Sequence, residues 1–311
     1  FKEAQAYLIP LMVFSLAPGI LAMMPELGTG LWLAIVPMVN LVILARDVMQ
    51  GQASAVFAVL AVITTLLYSV TALAMAAELF GSDAVLYGSQ GGWRELIGKR
   101  DGKRLPSPAF ALLVLALLFP SQFLMLGIMG RLREVLDPLQ TVIAIAVGTI
   151  VLFLLIPGVL VVGRGYRWTE TFALRWPGMK KLTGGVLLGL GIWPFVGLAL
   201  WALGNAYQWI SGSAGSDWTS RISQLAMSQV ETWSQIPIPI LVLAFAILPA
   251  ICEEFFFRGL LLQALARNTS FWKAVIGSGL AFGLFHFIVE SSVAPLRFVV
   301  TSSMGIVLGW V

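Results

Sequence analysis

The sequence predicts an all-α fold: a polytopic transmembrane bundle of about nine spanning helices, cut from a longer chain. Three observations lead there. The 311 residues are 59% hydrophobic and only 11% charged, with a mean hydropathy of +0.93, outside the range of soluble globular domains. Apolar runs recur along the whole chain at lengths near the roughly 20 residues a helix needs to cross the hydrocarbon. No series of short alternating segments marks a barrel, so the backbone must be satisfied within helices.

In order, the runs cover approximately 6–24, 31–45, 53–80, 109–129, 139–162, 183–203, 238–265, 271–289 and 294–311. The second is short and the seventh long. Lys and Arg concentrate in the loops 81–106, 163–182 and 266–273, while the alternate loops hold only Lys2, Arg46, Arg131, Arg133, Arg221 and Arg297. Cytoplasmic loops carry the positive excess, so residue 1 is expected outside. The same dispersal explains the pI of about 9.4 without a nucleic-acid partner. The chain starts at Phe1 with no signal peptide and stops at Val311 within an apolar run, the basis for expecting a fragment.

Residues 91–108, "GGWRELIGKRDGKRLPSP", combine charge, Gly and Pro and read as a basic cytoplasmic linker between two membrane modules, 1–90 and 109–311. They are not a phosphate loop. Gly92 and Gly98 are separated by one residue too many, and Arg100 follows Lys99 where Ser or Thr is needed. Any ATPase would be a separate subunit. The outer loop from Gly204 to Pro239 carries Trp209, Trp218 and Trp233, read as headgroup anchors around a surface amphipathic stretch, "WTSRISQLAMSQVETW".

The chemistry concentrates in "AICEEFFFRGLLL", residues 250–262. An ionisable side chain at a helix centre costs about 2.5–3.5 kcal/mol on insertion scales, so Glu253, Glu254 and Arg258 need compensation. Glu254 and Arg258 are i and i+4 neighbours and can pair. Glu253 lies about 100° further round the helix and gains no partner from it, the setting wanted in a general base. The alternative is that this helix surfaces near residue 252 and all three charges are solvated. The lone cysteine, Cys252, excludes disulfides and multi-cysteine metal sites and reads as packing.

The only histidine, His286, lies in "FGLFHF" on the next helix. It is either a hydrogen-bonded packing residue or a functional one. With a turn near Asn268 to Ser270, Glu253 and His286 each lie roughly 25 Å along their helices and meet at similar depth. A carboxylate and an imidazole converging within the membrane can activate water against a peptide carbonyl, with Glu as base and His as oxyanion or metal partner. Glu253, Glu254 and His286 are the candidates for a divalent metal such as zinc, an incomplete set without further ligands.

These residues resemble the CPBP family of intramembrane proteases, which includes the type II CAAX prenyl endopeptidases and bacteriocin-immunity relatives of bacteria. Its EExxxR motif falls on Glu253, Glu254 and Arg258, and its FxxxH motif on Phe282 and His286. The stretch "FVVTSSMGIVLGW" resembles the glycine-containing helix that follows, and the likeness extends over roughly 109–311. The resemblance implies that Glu253 activates water, that His286 lines the catalytic cavity, and that Glu254, Arg258 and Phe282 support them. It implies a membrane-associated peptide substrate, prenylated or bacteriocin-like, and a setting in membrane lipid, the bacterial plasma membrane. The family's third motif would lie beyond Val311.

Residues 3–51, through Pro37 and Asn40 of "IVPMVN" and the following "RDVMQG", resemble the last helices of an ABC-type transporter permease of the sodium-efflux type, which makes 1–90 a permease-like module. Asn40, Thr64 and Thr65 are nevertheless better read as interhelical hydrogen-bonding groups. Two functional expectations follow: an intramembrane endopeptidase using a glutamate-activated water, or an exporter permease subunit whose protease-like half is a non-catalytic scaffold.

Overall fold

The structure is a computed structural model and describes residues 20, 30–80, 105–174, 176, 178–211, 223, 224, 227, 228, 230–287 and 294–310. Among the described residues every regular element is helical. Five helices are long and apolar enough to cross a membrane: Ala55–Ala77, Pro108–Leu132, Pro138–Gly163, Leu182–Ala206 and Ile238–Asn268. The chain is an integral membrane protein.

The expected count of about nine spans is not supported. The run at 6–24 lies outside the described residues, apart from Ile20. The run at 31–45 is interrupted: a 3-10 turn at Leu31–Ile35 precedes α1, Val39–Met49, with Val36 extended and Met38 at a φ of 66° between them. The last two runs form apolar helices shorter than the other spans, Phe271–Phe287 and Arg297–Trp310. Windowed hydrophobicity counts residues, not continuity of the hydrogen-bond ladder, and so overcounts here.

The chain divides into two compact units, Phe1–Gly91 and Gly92–Val311. In the first, the broken segment exposes backbone carbonyls that α2, Ala55–Phe80, must satisfy. Asn40 does this centrally. Its Nδ2 lies 3.1 Å from Ala34 O, 3.1 Å from Ala61 O, 3.2 Å from Thr64 Oγ1 and 3.0 Å from Thr65 Oγ1, so two N–H bonds are shared among four acceptors. Thr64 donates to Ala34 O at 2.7 Å and Tyr68 to Ile35 O at 3.0 Å. Asn40 and Thr64 are fully buried, as a polar clasp in an apolar medium has to be.

In the second unit the hydroxyl of Ser107 accepts from Phe110 N and caps α3, Pro108–Leu132. Asp137 and Gln140 form a reciprocal capping box that starts α4, Pro138–Gly163. Met179–Ser211 forms α5 and Ile238–Asn268 forms α6. The α7 helix is Phe271–Phe287 and α8 is Ala294–Trp310. Two π-helical turns, Val151–Leu155 in α4 and Leu243–Ile247 in α6, directly precede Pro157 and Pro249. Proline offers no N–H and its ring presses on the carbonyl four residues back, so a widened turn accommodates it without ending the helix.

Phenylalanines fill the junction of four helices. Phe153 of α4 lies 5.8 Å from Phe257 of α6 and 5.5 Å from Phe285 of α7, and Phe119 of α3 lies 5.6 Å from Phe285, centroid to centroid. Where α7 meets α8 the side chains vanish instead. A Cβ on Gly279 would stand 2.8 Å from Ile306 N, and one on Gly305 2.9 Å from Gly279 Cα. In lipid, where burial of apolar surface drives little, such contact is what holds helices together. Trp233, expected at the headgroups, packs on Val142, Ile236 and Ala244; Trp209 is exposed, Trp218 lies outside the described residues, and the amphipathic stretch is only partly described.

Replacing Asn40 by Leu removes the amide donor shared by Ala34 O, Ala61 O and the hydroxyls of Thr64 and Thr65. Thermal unfolding of the detergent-solubilised protein is expected to show a loss of about 1–2 kcal/mol; an unchanged melting temperature would mean the clasp carries no load.

Candidate active site

Glu253 and Glu254 end an α-helical stretch, Leu248–Glu254, and a third π-helical turn, Phe255–Leu261, follows immediately. No proline accounts for this one. Its surroundings are crowded: Phe255 stacks on Phe172 at 3.6 Å, and a Cβ on Gly259 would stand 3.0 Å from Phe172 Cα. From the other side, Ser278 of α7 donates to Phe257 O at 3.0 Å within the buried interior. Widened turns recur at functional sites because they re-aim the side chains on either side, and here those side chains are the two acids and Arg258.

Three helices converge on the Arg258 guanidinium. Nη1 lies 3.2 Å from Glu254 Oε1 on its own helix, Nη2 donates to Gly305 O of α8 at 3.2 Å, and the group sits 4.7 Å above the Phe282 ring of α7. The expected Glu254–Arg258 pair is therefore present. It is a charge contact rather than an aligned hydrogen bond, since Nε and Nη1 are buried with no hydrogen-bond partner. Exposure separates the partners: 12% for the Arg258 side chain against 45% for Glu254. The solvated end of the pair contributes little, and the Gly305 and Phe282 contacts hold the arginine.

The turn between α6 and α7 falls where the sequence puts it, with α6 ending at Asn268 and α7 beginning at Phe271. The Arg258–Phe282 contact sets the register. Glu253 lies five residues before Arg258 and His286 four after Phe282, which brings both to one level, about 6–8 Å along each helix from that contact. His286 Nδ1 lies 3.0 Å from Phe282 O. A carbonyl can only accept, so Nδ1 carries a proton, and in the neutral ring Nε2 is the nitrogen that keeps its lone pair. The His286 ring also packs 4.6 Å from the Phe282 ring.

Glu253 is half-buried and, among the described residues, has no hydrogen-bond or ion-pair partner. The charges of Arg258 and Arg297 act on both Glu253 and His286. Arg297, counted from the sequence only as a loop charge, lies within α8. Its relation to Glu253 was invisible because the α7–α8 crossing is set by glycines, which hydrophobic patterning cannot register. Cys252 is buried and free, as packing requires.

Among the described residues no three His, Cys, Asp or Glu side chains come together to hold a metal ion. Glu254 is turned to Arg258, and His286 offers Nε2 alone.

Residues 235–311 match the family model for type II CAAX prenyl endopeptidase, Rce1-like. The matched quarter of the chain carries Glu253, Glu254, Arg258, Phe282 and His286 together with Arg297 and Gly305, so the Rce1-like region coincides with the helices that make the site. It is narrower than the 109–311 over which the sequence resembles the family. No curated protein and no solved structure matches the chain, and nothing in these comparisons supports a permease part at the N-terminus.

Arg258→Met is expected to cost roughly 2 kcal/mol, from the charged hydrogen bond to Gly305 and the ring contact. Glu254→Gln should cost less than about 1 kcal/mol. Thermal denaturation of both variants in detergent checks this; equal losses would put the arginine's support in the ion pair instead.

Proposed function

We propose that the chain belongs to an intramembrane endopeptidase, with Glu253 as general base and His286 beside it. The observation carrying this reading is the levelling of an unpaired carboxylate with an imidazole of fixed tautomer inside the Rce1-like region. Glu253 takes a proton from a water molecule while the water oxygen attacks the scissile carbonyl. The same proton passes to the leaving amine as the tetrahedral intermediate collapses, so Glu253 ends as it began. The His286 Nε2 lone pair accepts a hydrogen bond from the water and aims it. Glu254, Arg258 and Phe282 are positioning groups.

The likeness to the type II CAAX prenyl endopeptidase model supports a prenylated, membrane-associated peptide as the substrate class. A site walled by phenylalanines between apolar helices is chemically suited to such a chain. Charged intermediates in this medium gain from fixed positive groups, and Arg258 and Arg297 supply them.

Glu253→Gln keeps size and polarity but cannot take the proton. Cleavage of a prenylated, membrane-borne reporter peptide by the protein in lipid nanodiscs is expected to fall by about 100-fold or more. Undiminished turnover would remove Glu253 from the mechanism.

A further inference from the structure

The phenylalanines at the centre of the second unit form one layer. Phe119 of α3 packs on Phe285 of α7, and Phe153 of α4 packs on Phe285 and on Phe257 of α6. Two contacts give the direction of the helices through that layer. Arg267 donates to Pro106 O at 2.9 Å, so α3 starts beside the α6–α7 turn and runs the same way as α7. A Cβ on Gly148 would meet Met125, so α4 returns antiparallel to α3, as α6 lies antiparallel to α7. One turn beyond the layer, toward the α3–α4 turn, stand Gln122, three residues after Phe119, Thr149, four before Phe153, and Glu253, four before Phe257. His286 adjoins Phe285 at the edge of the same level.

Helical azimuth turns Gln122 and Thr149 inward. On α3, Phe119 points to α7 and Met125 to α4. Gln122 is three residues from each, about 60° from both, and so faces the space between those helices. That space belongs to α6, whose Phe257 ring touches both Phe153 and Phe285. Thr149, one turn from Phe153, shares its inward face. Both residues are buried, at 7% and 8% exposure. Thr149 Oγ1 donates its proton to Ile145 O at 3.0 Å, so toward any other group it can only accept. Gln122 Oε1 is buried with no hydrogen-bond partner; turned end for end, the carboxamide would bury an unpartnered donor in its place. An orphaned buried polar atom is costly, and internal water is a common partner for one.

We propose that Gln122 and Thr149 hold an internal water molecule at the level of Glu253, and that this seat supplies the water consumed in hydrolysis. Both groups accept, and a water molecule has two O–H bonds to donate, one to each, while its own oxygen stays open to a further donor. Every peptide bond cleaved consumes one water in a medium that holds almost none. A water kept on the α3–α4 side of the general base refills the reacting position without crossing lipid. The supply role rests on the peptide-hydrolysing reading; the hydration site does not.

The test is X-ray radiolysis of the protein in lipid nanodiscs, in which internal water yields hydroxyl radicals that oxidise the side chains around it. Phe119 and Phe153 border the seat, and Phe57 of the first unit, similarly buried, is the control. Phe119 and Phe153 are expected to oxidise faster than Phe57. Gln122→Leu and, independently, Thr149→Val should each remove that excess, while Thr149→Ser should keep it. Oxidation no faster than at Phe57 would overturn the proposal, as would an excess that survives both substitutions. In cleavage of the reporter peptide, Gln122→Leu and Thr149→Val are each expected to lower kcat about tenfold and leave KM unchanged. An unchanged kcat, or a rise in KM matching the fall in kcat, would overturn the supply role. Fast oxidation of Phe119 and Phe153 in a protein that cleaves nothing would sink the protease reading alone and leave the hydration site.

Discussion

The site depends on one cation held away from water by parts of three helices. Arg258 touches Glu254 on its own helix, the Phe282 ring on the next and the Gly305 carbonyl on the third. Burying a guanidinium is costly, and with Nε and Nη1 making no hydrogen bond the Glu254 charge, the Phe282 ring and the Gly305 carbonyl are what offset it. Its three contacts therefore fix the relative register of α6, α7 and α8, and with it the common level of Glu253 and His286. Neither the Glu253 carboxyl nor the His286 ring is among the three contacts that hold the guanidinium.

That arrangement is possible only because the surrounding helices approach unusually closely. Gly279, Gly283 and Gly305 remove the side chains that would keep α7 and α8 apart, and Gly305 O becomes reachable from α6 as a result. The phenylalanines of α3, α4, α6 and α7 supply the bulk that the glycines omit. Lipid offers no hydrophobic reward for this assembly, so fit and polar contact carry it. Asn40 plays the corresponding part in the first unit, where a broken segment leaves carbonyls to be satisfied.

Much of this was legible in the sequence. The Glu254–Arg258 pair follows from i, i+4 spacing and survives the π-helical turn between them, and the α6–α7 turn follows from the polar "RNTS". Asn40, Thr64 and Thr65 were recognisable as interhelical hydrogen-bonding groups, and they do bond to each other. Hydropathy could not reveal that the run at 31–45 breaks at Val36 and Met38, because a break costs no hydrophobicity. The π turns were also hidden; Pro157 and Pro249 are visible signals for two of them, and nothing local marks the third. Arg297 was misread because its meaning depends on which helix lies across from it. The permease-like reading rested on a few residues of one interrupted segment and drew no support from the comparisons.

The account stands on Glu253 and His286 facing one polar chamber. Its most direct test places cysteines at both positions in a Cys252→Ala background and treats the protein in nanodiscs with a short bifunctional thiol reagent. A control pair at Ile251 and Leu280, both on exposed faces of the same two helices, reports non-specific joining. Rapid intramolecular cross-linking of the 253 and 286 pair, well ahead of the control, is the predicted result. Cross-linking no faster than the control would place the two groups apart and contradict the account.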